Sequence, residues 1–97
     1  MATNLHDLEV LLSKWHMAKY GHNKPDLQRA LVKLMEEVGE IARAVLRDDY
    51  EEASLECADC LFLLCHISAA LGYSLEEQTE TKWLVIVERL RRKGKTL

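Results

Sequence analysis

Two acidic pairs carry the chemistry that this sequence can offer. Glu37 and Glu40 stand in the run Glu36-Glu37-Val38-Gly39-Glu40, and Glu56 and Asp59 in Glu56-Cys57-Ala58-Asp59. Residues three apart on a helix are surface neighbours, so each pair sets two carboxylates side by side. The turn between the pairs centres on Asp48-Asp49. Counting outward along an antiparallel hairpin brings Glu40 level with Glu56 and Glu37 level with Asp59. Four carboxylates gathered in one place repel, and each is driven towards protonation unless a counter-charge arrives. A hard divalent cation supplies it: Mg²⁺, or alternatively Mn²⁺, prefers carboxylate oxygen and leaves positions open for water and phosphate. The plainer reading is a solvated acidic face. Against it, Glu56 and Asp59 share a helical stripe with Leu63 and Ile67. Gly39 also costs a mid-helix position about 1 kcal/mol relative to alanine. Close approach of a ligand or another backbone would account for it.

The elements that must hold these acids are four helices. Leu5, Leu8, Leu12 and Trp15 recur at helical spacing in a first helix from about Asn4 to Lys19. Tyr20-Gly21-His22-Asn23-Lys24 interrupts it, and Pro25 suits the first turn of a second helix, where its missing N–H is no loss. That helix carries Leu27, Leu31, Leu34, Val38, Ile41 and Val45 and should end near Arg47-Asp48. Asp49 with Glu52, and Ser74 with Glu77, form capping-box patterns that open helices three and four. Gly72 marks the end of helix three, and helix four runs into Arg91-Arg92-Lys93-Gly94. Helix three is apolar almost all round (Leu61, Phe62, Leu63, Leu64, Cys65, Ile67). A helix of that kind is buried on several sides, and the other three helices are too short to cover it, which points to a homo-oligomer.

The chain of 97 residues, 48% hydrophobic and 30% charged, is expected to form a single globular domain over 1–97. One proline and four glycines favour helices over a many-turned β fold. A net charge of −3 provides no general attraction to nucleic acid or to an anionic membrane. Met1-Ala2-Thr3-Asn4 has neither the basic start nor the apolar run of a secretion signal. The most apolar stretch, Cys57 to Leu71, contains Asp59 and is shorter than the roughly 18 residues of a membrane span. Three cysteines set no disulfide framework, so a reducing cytoplasm is the expected setting.

Lys33-Leu34-Met35-Glu36-Glu37-Val38-Gly39-Glu40 followed by Glu56-Cys57-Ala58-Asp59 resembles the EExxE…ExxD signature of the MazG-like family. That family belongs to the all-α nucleoside triphosphate pyrophosphohydrolases. The resemblance runs from Trp15 to Arg89 and implies a four-helix fold assembled as a dimer or a dimer of dimers. It further implies that Glu37, Glu40, Glu56 and Asp59 are Mg²⁺ ligands and that Glu36 orients or deprotonates the attacking water. The implied reaction is attack at the α-phosphorus of a nucleoside triphosphate, releasing pyrophosphate. Helix four departs from the pattern: Lys82 and Arg89 fit, but Val85 and Ile86 stand where family members often carry Asn.

Lys33, Lys82 and Arg89 are candidate phosphate ligands, with pairing to nearby Glu as the structural alternative. Trp15 and His16 precede the interhelical loop, where an aromatic ring could stack on a base. Trp83 reads better as a core or interface anchor. Cys57 and Cys60, a CxxC without a second one, read as small buried apolar residues, and His66 as a core histidine with a hydrogen bond. The basic end of helix four complements its dipole rather than marking a nucleic-acid site. Three functions stay open at this point. The first is a pyrophosphohydrolase acting on (d)NTPs in nucleotide-pool housecleaning. The second keeps that chemistry with dUTP or phosphoribosyl-ATP as substrate. The third is a non-catalytic helical dimerisation module.

Overall fold

Short polar side chains set where each helix begins. In the computed structural model, which describes residues 4–22 and 26–97, Asn4 accepts the Asp7 N–H at 2.8 Å and opens α1 (Leu5–Tyr20). Asp26 accepts the Arg29 N–H and opens α2 (Leu27–Leu46). Asp49 caps α3 (Tyr50–Ala70) and Ser74 caps α4 (Leu75–Arg92) in the same way. The expectations for Met1-Ala2-Thr3, Asn23, Lys24 and Pro25 lie outside the described residues. Among those described there are four helices and no strand, so the fold is all-α.

The turn joining α2 to α3 is tight because Asp48 adopts a left-handed conformation (φ 58°). The Asp49 N–H then reaches back to the Ala44 carbonyl at 2.9 Å, and Asp48 N–H to Val45 at 3.0 Å, closing the last turn of α2. Here only half of the expected capping box forms. Asp49 accepts from the Glu52 N–H, but its own N–H is taken by Ala44, which leaves the Glu52 carboxylate free to turn elsewhere. Gly72 (φ 86°) ends α3 with the corresponding pair of bonds, Gly72 N–H to Ala69 and Tyr73 N–H to Ser68.

α2 and α3 pack against each other along their lengths as an antiparallel hairpin. The face of α2 turned inward carries Leu27, Ala30, Leu34, Glu37, Ile41 and Ala44, with Ala30 and Ala44 buried. Leu31, Val38 and Val45, expected on the inner stripe, are instead exposed. Small alanines let the two backbones approach, and that sets the rotation of the helix. α3 would pass for a membrane-crossing helix by length and composition alone, with a mean hydropathy of 1.4. Its Glu52, Glu56 and Ala53, however, lie in or beside the α2 contact.

The rest of the chain is more open. α1 touches α3 and α4, and neither α1 nor α4 packs on α2 among the described residues. The radius of gyration is 16.1 Å, against about 12.5 Å expected for a chain of this length. The buried apolar residues are small: Ala30, Ala44, Ala53 and Cys65. Cys57, expected inside, is exposed and Cys60 half-buried, because α2 covers only one side of α3.

Candidate metal centre

Glu37 rides on the inner stripe of α2, and Glu56 on the stripe of α3 that faces it, with Asp59 one turn further along. One carboxylate oxygen from each of these three residues lies within 4.8 Å of the others. Oε2 of Glu56 is shut off from solvent and has no hydrogen-bond partner among the described residues. Its neighbours are carboxylates that cannot donate when ionised. The Glu56 carboxyl is consequently pushed up to about 7 from an ordinary 4.5. The first cause is a hydrogen bond with Glu37 that requires a proton; burial, a second such bond with Glu52, and the charges of Glu37 and Asp59 add to it. A solvent-shielded oxygen without a donor, in a group of three carboxylates, fits a hard divalent cation. Burial, then the Cys57 charge and these carboxylates, also push the Cys60 thiol up, so it stays protonated beside the cluster.

Glu40 is not drawn into this group. Its carboxylate turns along α2 to the Arg43 guanidinium. Glu36 lies on the outer face of α2, where Lys33 Nζ sits 3.6 Å from its carboxylate. Both Lys33 and Glu36 are more than half exposed and are paired with each other. Gly39 is not pressed by another backbone: a Cβ there would meet only the Arg43 side chain, at 3.6 Å. Glu52 was not singled out as a site residue, yet its side chain joins Glu56. Its place four residues before Glu56 is the signal that could have found it.

Two helical turns beyond Asp59 on the same side of α3, about 10 Å along the axis, lies His66. Its ring is 5.1 Å from that of His16 on α1. It is half-buried against that ring rather than hydrogen-bonded in a core, and burial, then the nearness of His16, hold its pKa below the usual imidazole value. His16 Nδ1 lies 2.8 Å from the His22 carbonyl oxygen, and the same ring tilts against Tyr20 at 4.7 Å. Trp15 meets Tyr20 edge-on at 6.2 Å, and the Lys19 ammonium lies 4.9 Å over the Trp15 ring. Trp15 is 54% exposed, so part of its surface is open for stacking. Lys82 and Arg89 lie on α4, exposed and without an ion pair among the described residues, where α4 does not reach α2. Trp83, expected as an anchor, is half exposed on the same helix.

Residues 26–93 fit the family model described as the MazG nucleotide pyrophosphohydrolase domain. No curated protein and no solved structure matches the chain.

Proposed function

The chain belongs to the MazG nucleotide pyrophosphohydrolase domain family, and from that premise we propose that it hydrolyses (deoxy)nucleoside triphosphates to the monophosphate and pyrophosphate. The observation that carries the reading is the solvent-free Oε2 of Glu56, unpartnered among the described residues, in a carboxylate group shared with Glu37 and Asp59. A site built only of acids has no use for itself as a store of repulsion, but it suits a Mg²⁺ or Mn²⁺ ion that also touches phosphate oxygens.

Glu37, Glu56 and Asp59 would hold such an ion directly. Glu40 would join them by releasing Arg43, a side-chain rotation on an exposed surface. Bound there, the ion supplies charge neutralisation for the phosphates and acidifies a water molecule. Glu37, inside the cluster, is better placed than Glu36 to take that water's proton; Glu36, paired with Lys33, would orient water only from the rim. Trp15 and His16 supply apolar and aromatic surface for a base, at a distance along α3 that leaves room for the phosphates. Lys33, Lys82 and Arg89 are the cations available to the phosphate chain. We place the protein in the cytoplasm as a homodimer or homotetramer that trims the nucleotide pool.

Pyrophosphate release from a panel of ribo- and deoxyribonucleoside triphosphates, dUTP and phosphoribosyl-ATP tests the proposal. Broad (d)NTP turnover supports it. Turnover confined to dUTP or to phosphoribosyl-ATP narrows the substrate. Mg²⁺ binding without any turnover would make the chain a metal-bearing dimerisation module.

A further inference from the structure

We infer that His16 of α1 and His66 of α3 form a second metal site, for a borderline transition ion such as Zn²⁺, which ties α1 to the α2/α3 hairpin. Three observations carry this: the spacing of the two rings, the hydrogen bond that orients one of them, and the cleft they share.

The rings come from different helices, with centroids 5.1 Å apart and planes inclined by 34°. An imidazole nitrogen binds Zn²⁺ at about 2.0–2.1 Å, which puts the ion about 3.2 Å from the ring centre. Two rings on one tetrahedral ion therefore stand with their centres about 5.2 Å apart. Ring stacking accepts the same spacing, so the orientation of His16 separates the two. The Gly21 cap (φ 75°) turns the chain back at the end of α1, and the His22 carbonyl oxygen comes to 2.8 Å from His16 Nδ1. A carbonyl only accepts, so Nδ1 carries a proton and the lone pair of the neutral ring sits on Nε2. A ring N–H held by a backbone carbonyl is the usual companion of a metal-bound histidine, because it fixes the tautomer and the ring angle. Burial, then the nearness of His16, lowers the His66 pKa against an opposing pull from Asp26, which keeps a lone pair available on that ring too.

Both rings line a cleft of about 180 Å³ between α1 and α3. That is room for an ion and for waters of about 30 Å³ each to complete its shell. Two other polar groups of the cleft are committed. The Glu9 carboxylate accepts from Ser74, Leu75 and Glu76, and burial, then the Glu9 charge, push the Cys65 thiol up. Imidazole nitrogen suits Zn²⁺, Co²⁺ and Ni²⁺, whereas the carboxylates of Glu37, Glu56 and Asp59 suit Mg²⁺. α3 thus presents two sites of different hardness, one on either side of two helical turns. α1 touches α3 and α4 but not α2 among the described residues, and an ion held by both histidines fastens it to the hairpin.

Nuclear magnetic resonance of the full chain tests this, with excess Mg²⁺ to saturate the acidic group and Zn²⁺ alone as the probe. The ring signals of His16 and His66 should shift together and saturate at one equivalent, while those of His6 stay in place. His16→Gln should weaken the response of His66 to Zn²⁺ at least about tenfold, and His66→Gln that of His16, since even the outer partners of ligating histidines are worth that much. If a variant does not fold, the wild-type shifts decide alone. Unmoved ring signals while Zn²⁺ binds elsewhere, such as at Cys57 and Cys60, overturn the inference. So does a shift in one ring only, or a full response of either ring in the variant that lacks the other.

Discussion

Carboxylate oxygens of Glu37 on α2 and Glu56 on α3 come within 4.8 Å of each other across the hairpin, near enough that a proton held by Glu56 relieves the repulsion between them. The pair sits where α2 and α3 need close contact, between the buried Ala30 and Ala44 of one helix and beside Ala53 of the other. Without a cation the fold therefore keeps a proton there instead. Metal loading and protonation are two answers to the same repulsion, and the first predictions follow from it.

Glu56 titrates near 4.5 in the unfolded chain and at about 7 in the fold. Between these values the folded state binds the extra proton, so this contribution to stability is complete below the lower value and is lost as the pH rises through the higher one. The metal-free protein should melt at a higher temperature near pH 5 than near pH 8 by this linkage. Glu56→Gln should flatten that slope. A wild-type melting temperature that climbs across the same window would contradict the shared proton.

Asp59→Asn keeps the shape of the cluster and removes one charge and one strong ligand. In EDTA the variant should melt above wild type, because functional carboxylate clusters trade stability for activity. Mg²⁺ should raise the wild-type melting temperature by mass action and the variant's much less. Equal Mg²⁺ shifts in the two proteins would exclude Asp59 as a ligand.

Glu9 holds the start of α4 from a distance in sequence. Its carboxylate accepts the Leu75 and Glu76 N–H groups, each at 3.0 Å, and the Ser74 hydroxyl at 3.1 Å. Negative charge at a helix N-terminus is favourable, and these are charge-assisted bonds. Glu9→Ala should cost about 2 kcal/mol in denaturant unfolding, whereas Glu76→Ala, which leaves these bonds in place, should cost far less. Equal losses would show that Glu9 does not cap α4.

Much of this architecture was legible in the sequence because helix ends are written locally: Asp49, Gly72 and Ser74 mark boundaries that the fold uses. The rotation of α2 was not. Leu31, Val38 and Val45 carry the hydrophobic signal, but the inner face is set by Ala30 and Ala44, small residues that a count of large apolar side chains overlooks. For the same reason the three acids that cluster include Glu37 but not Glu40, whose side chain has an Arg43 one turn away on its own helix. The Glu9 cap was beyond a local reading, since its partners lie more than sixty residues away.

Gly39 offers a further check on what lies outside the single chain. A Cβ there meets nothing closer than Arg43 at 3.6 Å, so Gly39→Ala should raise the stability of α2 by about 1 kcal/mol. The gain should appear in chemical unfolding of the isolated chain. A gain in the isolated chain that turns into a loss in the assembled, nucleotide-bound protein would mean that a ligand or second copy presses on the α2 backbone at this point.

The central claim is a metal-dependent attack of water on the α-phosphorus, and the position of the new oxygen tests it most directly. The wild-type protein is given a nucleoside triphosphate and Mg²⁺ in heavy-oxygen water, and both products are weighed by mass spectrometry. Attack at the α-phosphorus puts the label in the monophosphate and none in the pyrophosphate, and the reaction stops in EDTA and in Glu56→Gln. Label in pyrophosphate or in orthophosphate, or turnover that persists without metal, would contradict the account.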